Sequence, residues 1–152
     1  MKTSFLRHMF ILIILLLMFG SMIERKYPIS KKQNVNLTVK VVGYKSTNGK
    51  TQIGLYNNEI SFPKINKQYK TAIIKVNSFV TKYTFSIPVG YYAVALFHDA
   101  NADGVCNTNF LGIPKEGYGF SNNIKPIISA PTFNETKMSI QKDMEIEIRL
   151  IY

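Results

Sequence analysis

The 152-residue chain contains one cysteine, Cys106, and only two arginines after its first 21 residues. A single cysteine excludes a fold held together by intramolecular disulfides. No segment of ten or more residues beyond residue 21 carries the 3.6-residue apolar period of an amphipathic helix, so a helical domain is not expected. The length suits one domain, and a hydrophobic content of 46% excludes wholesale disorder.

Acidic residues are also scarce: nine Asp and Glu stand against 19 Lys and Arg, which gives a net charge of +10. Such an excess suggests a nucleic-acid binder or a protein that binds an anionic surface. The lysines, however, are scattered over residues 22–97, and arginine, which makes bidentate contacts to bases, is rare. We therefore expect no nucleic-acid partner. Two interpretations stay open: the lysines form a solvated face, or they form a face that binds an anionic envelope surface.

The N-terminus has the layout of an export signal. A short basic stretch, residues 2–8, precedes eleven unbroken apolar residues at 9–19. This run is shorter than the roughly 18–20 residues that span a bilayer. The small residues that follow lack the spacing of a good cleavage site. We predict a signal peptide or an uncleaved anchor at 1–21 and a linker at 22–34. The expected location is exported: periplasmic, outer-membrane-associated or secreted. Membrane contact is expected only through the N-terminal segment, if it is uncleaved.

From residue 35 onward, short β-rich segments alternate with turns. Apolar and polar residues alternate in several of them, as in half-buried strands. Asn48-Gly49 predicts a tight hairpin between the first two. Residues 98–131 are rich in Gly, Pro, Asn and Asp and predict one long ordered loop. The fold class is therefore all-β, a sandwich of about seven antiparallel strands over residues 35–152. The predicted strands are 35–42, 52–56, 71–77, 80–87, 91–97, 137–140 and 144–152.

The segment that follows the fifth predicted strand resembles the first half of a calcium loop. Asp99, Asn101 and Asp103 place oxygen ligands at alternate positions, and Gly104 allows a sharp bend. The twelfth position, where a bidentate Glu is expected, is Phe110. One interpretation is a weak calcium site formed by Asp99, Asn101 and Asp103. The other is a structural loop, because Asp, Asn and Gly also favour turns.

Four more residues are candidates for ligand binding: His98, Glu116, Tyr118 and Phe120. His98 could be a hydrogen-bonded structural histidine, or it could act with Asp99 and Glu116 as acid–base or metal-binding groups of a hydrolase-type enzyme. No serine lies in a nucleophile motif, which favours a non-catalytic protein. Tyr118 and Phe120 could stack on sugar rings, or they could belong to a loop packed over one end of the sandwich.

Two runs in the second half of the chain are distinctive: His98-Asp99-x-Asn101-x-Asp103-Gly104 and Gly112-Ile113-Pro114-x-Glu116-Gly117-Tyr118-Gly119-Phe120-Ser121-Asn122. In these runs the chain resembles a family of secreted bacterial proteins with no assigned function, and the resemblance extends over roughly residues 35–152. It implies a signal peptide and a prealbumin-like or immunoglobulin-like sandwich, and it implies no reaction. Cys106-Asn107 stands where a Leu-Asp pair is more usual in the family, so one carboxylate is missing from the predicted calcium loop.

These observations favour an exported, envelope-associated β-sandwich that acts by binding or as a structural accessory. The expected partner is an envelope glycan or another envelope protein. The alternatives are a calcium-stabilised glycan-binding module and a hydrolase-type enzyme that uses His98, Asp99 and Glu116. The only cofactor that the sequence suggests is calcium.

Overall fold

The computed structural model describes residues 33–152, so the predicted signal segment and nearly all of the predicted linker lie outside the described residues. No helix within residues 33–152 is long and apolar enough to cross a membrane. A short helix, α1 (Phe133–Thr136), and a 3₁₀ turn (Ser121–Asn123) accompany eight strands. The strands are β1 (Asn34–Val42), β2 (Lys50–Tyr56), β3 (Lys70–Lys75), β4 (Val80–Pro88), β5 (Gly90–Asp99), β6 (Gly117–Phe120), β7 (Met138–Ile140) and β8 (Met144–Arg149).

The strands form two sheets, which confirms the all-β sandwich. The three-stranded sheet has the order β4-β1-β8, and the five-stranded sheet has the order β3-β2-β5-β6, with β7 paired to the first residues of β5. All seven predicted strands are present. The pairing departs from the antiparallel prediction at one place, because β1 and β8 run parallel. A parallel pair needs a long connection, and here nearly the whole domain connects the two strands.

The main core lies between the sheets. Alternate residues of β1 point inward and are buried, as the two-residue period predicts. Ile53 and Leu55 of β2 and Val94 of β5 belong to the same buried cluster. At one end of the core, the Tyr44 hydroxyl lies 2.6 Å from the hydroxyls of both Thr51 on β2 and Thr81 on β4. This buried polar bridge joins the two sheets.

The predicted hairpin at Asn48-Gly49 is wrong. Strands β1 and β2 lie in different sheets, so the segment between them crosses from one sheet to the other. Gly49 does adopt the left-handed conformation, with a φ of 75°. A Cβ at this position would lie 2.0 Å from the Asp99 carbonyl oxygen. Glycine is therefore required here for close packing against the end of β5 as well as for the turn.

The segment predicted as one long loop contains a strand, β6. This strand pairs with β5 on one side, and on the other side Tyr118 exchanges two backbone hydrogen bonds with Ile151. Because the chain that follows β8 thus reaches β6, the two sheets are joined along this edge. The aromatic residues of the segment, Tyr118 and Phe120, consequently belong to a sheet and not to a loop that closes the end of the sandwich.

Candidate functional site

His98 is the last core-facing residue of β5. Side chains alternate along a strand, so His98 points between the sheets and Asp99 points to the opposite face. The Nε2–H of His98 donates to the Asn48 carbonyl oxygen at 2.7 Å, and Nδ1 lies 3.4 Å from the Tyr152 hydroxyl. The ring packs edge-to-face on Tyr44. Both nitrogens of this buried ring therefore have partners within the protein.

Asp99 is buried at the end of β5, and its carboxylate organises the turn that follows. One oxygen accepts from the backbone N–H of Asp103 at 3.1 Å, and the other accepts from the N–H of Gly104 at 2.8 Å. Gly104 has a φ of 83° and completes the bend. The carboxylate thus accepts from two backbone donors of the turn, and the Asp103 N–H also lies 3.2 Å from the Asn101 side-chain oxygen.

Asp103 lies at the centre of the exposed part of this loop. It accepts from the side-chain amides of Asn101 at 2.8 Å and Asn107 at 2.9 Å, and from the backbone N–H of Val105 at 2.8 Å. The hydrogen bond from Asn107, followed by those from Val105 and Asn101, holds the pKa of the Asp103 carboxyl below its ordinary value. The loop is a network of Asx-type hydrogen bonds.

Glu116 fixes the start of the same loop to its middle. One carboxylate oxygen accepts from the N–H of Ala100 at 3.1 Å, and the other accepts from the N–H of Asn107 at 3.2 Å. Glu116 precedes β6, so the contact also ties the loop to the five-stranded sheet. Its carboxylate therefore acts as a clamp between the start of the loop and its middle.

These contacts bear on the three predicted chemistries. His98 and Asp99 lie on opposite faces of β5, and the Glu116 carboxylate is committed to backbone donors, so the proposed acid–base trio is not assembled around a common cleft. Within residues 33–152, no group of three His, Cys, Asp or Glu side chains could hold a metal ion. Asp99, Asn101 and Asp103 do lie together, but N–H donors face the carboxylates of Asp99 and Asp103. A calcium ion would have to displace the amide donors around Asp103.

Tyr118 and Phe120 line an apolar cleft over the outer face of the five-stranded sheet. Its floor includes Gly54 of β2 and Ala95 of β5, which are directly paired across the two strands. Neither residue carries a large side chain. Gly54 is buried beneath the Gln68 and Tyr56 side chains, whereas Ala95 is half-buried. The cavity measures about 130 Å³. Phe120 itself is buried and belongs to a cluster with Tyr56, Phe62, Ala93 and Phe133.

Two loops form the walls of this cleft. Pro63, Ile65 and Gln68 come from the segment between β2 and β3, whereas Cys106 and Pro114 come from the segment between β5 and β6. The second wall is the loop that Asp99 and Glu116 hold in place. Burial raises the pKa of the Cys106 thiol to about 11, with further contributions from the nearby Glu116 and Asp99 carboxylates. The predicted site residues thus divide into three groups: His98 is buried between the sheets, the Asp99, Asp103 and Glu116 carboxylates organise a wall, and Tyr118 and Phe120 line the cleft.

The sequence prediction did not include Tyr56, Gly54 and Ala95. The small residues Gly54 and Ala95 become a signal only when the strand register is known, because the register places them side by side. Tyr56 is the last residue of β2 and points to the outer face, because Ile53 and Leu55 at the alternate positions point to the core. Its hydroxyl donates to the Lys64 carbonyl oxygen at 3.2 Å and so holds the β2–β3 segment against the sheet.

Comparison with known proteins places the chain in a family. Residues 39–148 match the model of DUF2141, which is described as an uncharacterized protein conserved in bacteria. This match covers more than half of the chain, so the chain belongs to that family, and the expected membership in a bacterial family of unknown function is confirmed. No curated protein matches the sequence. No solved structure matches it either.

Proposed function

We propose that this DUF2141 protein is an exported, non-catalytic binding domain of the bacterial envelope, and that its apolar cleft receives one apolar side chain of another envelope protein. The observation that carries the proposal is the cleft over Gly54 and Ala95, walled by two loops and bordered by Tyr118 and Phe120. Export is supported by the basic and apolar stretches of residues 2–19.

The size and lining of the cleft favour a side chain as the bound group. A volume of about 130 Å³ is close to the roughly 150 Å³ of an apolar cavity that accepts benzene. One aromatic ring or one branched aliphatic group therefore fits. Binding sites of this kind combine an apolar surface with a few polar groups, and here Gln52, Gln68 and Thr71 supply the polar groups. Buried apolar anchors contribute most of the affinity in many protein interfaces.

The glycan and enzyme alternatives have less support in the geometry. Sugar rings stack on exposed aromatic faces, whereas Phe120 is buried under Phe62. An acid–base mechanism needs titratable groups that converge on a substrate, whereas the Asp99 and Glu116 carboxylates accept from backbone N–H groups. The same carboxylates have a clear role in the proposed function, because they hold the wall that contains Cys106 and Pro114.

Occupancy of the cleft can be measured with toluene, which represents a phenylalanine side chain, in an NMR titration. We expect shifts at Ala95, Tyr118 and Phe120. The variant Ala95→Leu fills the floor and should weaken toluene binding about tenfold or more, because an inserted isobutyl group excludes the ring. Ala100→Leu, at an exposed position outside the cleft, is the matched control and should bind toluene as the native chain does.

Several results would contradict this proposal. If toluene shifts no cleft resonance, or if Ala95→Leu binds it normally, the cleft does not accept a side chain. If glucose shifts Tyr118 while toluene does not, the site is a glycan site. The partner class is tested in cells with a photo-crosslinking residue at the exposed rim position Ile65. A crosslink to an envelope protein should disappear in Ala95→Leu and persist in Ala100→Leu.

A further inference from the structure

Two neighbouring segments of the domain present large apolar side chains almost fully to solvent. We call them the apolar tips: Phe110 and Leu111 between β5 and β6, and Ile127 and Ile128 between β6 and α1. The exposed fractions are 94% for Phe110, 67% for Leu111, 96% for Ile127 and 98% for Ile128. Leu111, Ile127 and Ile128 line one groove of about 310 Å³, so the two tips stand side by side.

The exposure of the first tip is built into its backbone. The Asn109 side-chain oxygen accepts from the N–H groups of Leu111 at 2.9 Å and Ile113 at 3.0 Å. The backbone N–H of Asn109 donates to the Ile113 carbonyl oxygen at 2.9 Å. A bridge between Thr108 and Pro114 closes the turn below. This hydrogen-bonded turn holds Phe110 and Leu111 outward and opposes their collapse onto the sheet.

Two exposed lysines, Lys115 and Lys125, stand beside the tips. Two acidic residues are also close, Glu116 and Glu135, and Glu135 lines a groove together with Ile127 and Ile128. Both carboxylates already accept from backbone N–H groups, Glu116 from Ala100 and Asn107 and Glu135 from Thr132. The ion pairs within residues 33–152 all lie on the three-stranded sheet: Lys40 with Glu147, Lys82 with Glu145, and Arg149 with Glu147.

We infer that the apolar tips insert into the surface of an anionic lipid bilayer, with Lys115 and Lys125 against the headgroups. Protruding apolar side chains beside lysines match the two parts of such a surface, the acyl boundary and the negative headgroup layer. The side chains of Phe110, Ile127 and Ile128 are 94–98% exposed, so they can enter a bilayer surface without rearrangement of the fold. The inference goes beyond the sequence expectation that any membrane contact would come only through residues 1–21, and it does not depend on what binds the cleft.

The chain has no tryptophan, so one introduced tryptophan is a unique reporter of insertion. Three variants of the full 152-residue chain are compared: Phe110→Trp and Ile128→Trp at the tips, and Tyr83→Trp on β4 of the three-stranded sheet as a matched exposed control. Each is mixed with phosphatidylcholine vesicles that contain phosphatidylglycerol and brominated lipid. Because the reporter is local, a vesicle contact made only by the N-terminal segment does not imitate insertion of the tips.

We expect a blue shift and strong quenching by brominated lipid for tryptophan at positions 110 and 128 and neither for tryptophan at position 83. The insertion depth should be roughly 5–10 Å. Replacing Lys115 or Lys125 by Gln should weaken tip insertion about fivefold for each lysine, whereas Lys75→Gln on β3 should leave it unchanged. Circular dichroism checks that each variant keeps its β structure.

Three results would overturn the inference. One is the absence of quenching at both tip positions, even when the chain sediments with the vesicles. Another is equal quenching at positions 110, 128 and 83, which would report non-specific adsorption. The third is a blue shift at the tips that grows with protein concentration without lipid, which would show that a second copy of the chain covers them.

Discussion

The buried carboxylate of Asp99 should determine whether the loop between β5 and β6 keeps its shape. Asp99→Asn is the sharpest change, because it preserves the size of the side chain and one acceptor oxygen. In the native chain the other oxygen accepts from the Gly104 N–H at 2.8 Å. In the variant it becomes an NH₂ group, which faces the Gly104 N–H or, if the amide is flipped, the Asp103 N–H. In either orientation a donor faces a donor. In one orientation the Gly104 N–H then has no acceptor, and in the other the Asp103 N–H keeps only the Asn101 side-chain oxygen at 3.2 Å.

The expected cost follows from these contacts. A hydrogen bond to a charged group contributes about 1.5–3 kcal/mol, and an unsatisfied buried donor costs about 1–3 kcal/mol. Because the amides of Asp103 and Gly104 lie in an exposed loop, water can replace part of the lost bonding. We therefore expect Asp99→Asn to lower the free energy of unfolding by about 2–4 kcal/mol. Faster hydrogen exchange at the Gly104 or the Asp103 amide should accompany the loss.

Urea denaturation at neutral pH measures this change, and the slope against urea concentration should stay the same if unfolding stays two-state. Glu59→Gln is the control, because Glu59 is an exposed acidic residue far from the loop in sequence, and its substitution should change the unfolding free energy by less than about 0.5 kcal/mol. If Asp99→Asn unfolds with the free energy of the native chain, or if the Gly104 and Asp103 amides both keep their protection, the carboxylate does not hold the loop and the reasoning fails.

Two further predictions concern the same loop. Calcium removal by a chelator should leave the melting temperature unchanged, because the Asp103 carboxylate already accepts from three N–H donors. If millimolar CaCl₂ raises the melting temperature of the native chain but not that of Asp99→Asn, the loop is a calcium site instead. Alkylation of Cys106 by iodoacetamide at pH 8, followed by mass spectrometry, should be about 100-fold slower in the folded chain than in urea, since burial raises the thiol pKa from 9.0 to about 11 and only the thiolate reacts. The folded-state rate should rise with pH up to about 11, and equal rates in the folded and unfolded chains would contradict the burial of the thiol.

The strands were predictable where one face of the strand is buried and the other is exposed to solvent. In β1, the alternation from Val35 to Val41 reports directly on burial, and the observed strand starts one residue before the predicted one. The choice of partner was not predictable in the same way. The parallel pairing of β1 with β8 joins residues more than 100 positions apart, and nothing in either strand's own pattern specifies direction. Register and neighbour order arise from packing of the whole core.

Strand β6 was missed because the residues that let it pair are the ones that argue against a strand. Glycine is unfavourable in strands unless another group approaches closely. Here a Cβ at Gly117 would lie 2.6 Å from the Tyr152 ring, and one at Gly119 would lie 2.7 Å from Ile148. The glycines therefore make room for the end of the chain, which lies against β6. Their role depends on residues about 30 positions away, which a local pattern does not contain.

The candidate site shows the same division between local and non-local information. Asp99 and Asp103 could be identified from one short motif, because turn chemistry acts over a few residues. The cleft instead depends on Gly54 and Ala95, which are 41 positions apart and meet only because β2 pairs with β5 in one register. A shift of β2 by one residue would turn Gly54 toward the core and place Ile53 and Leu55 over the outer face. The cleft is thus a consequence of sheet pairing, and the calcium-like motif supports one of its walls.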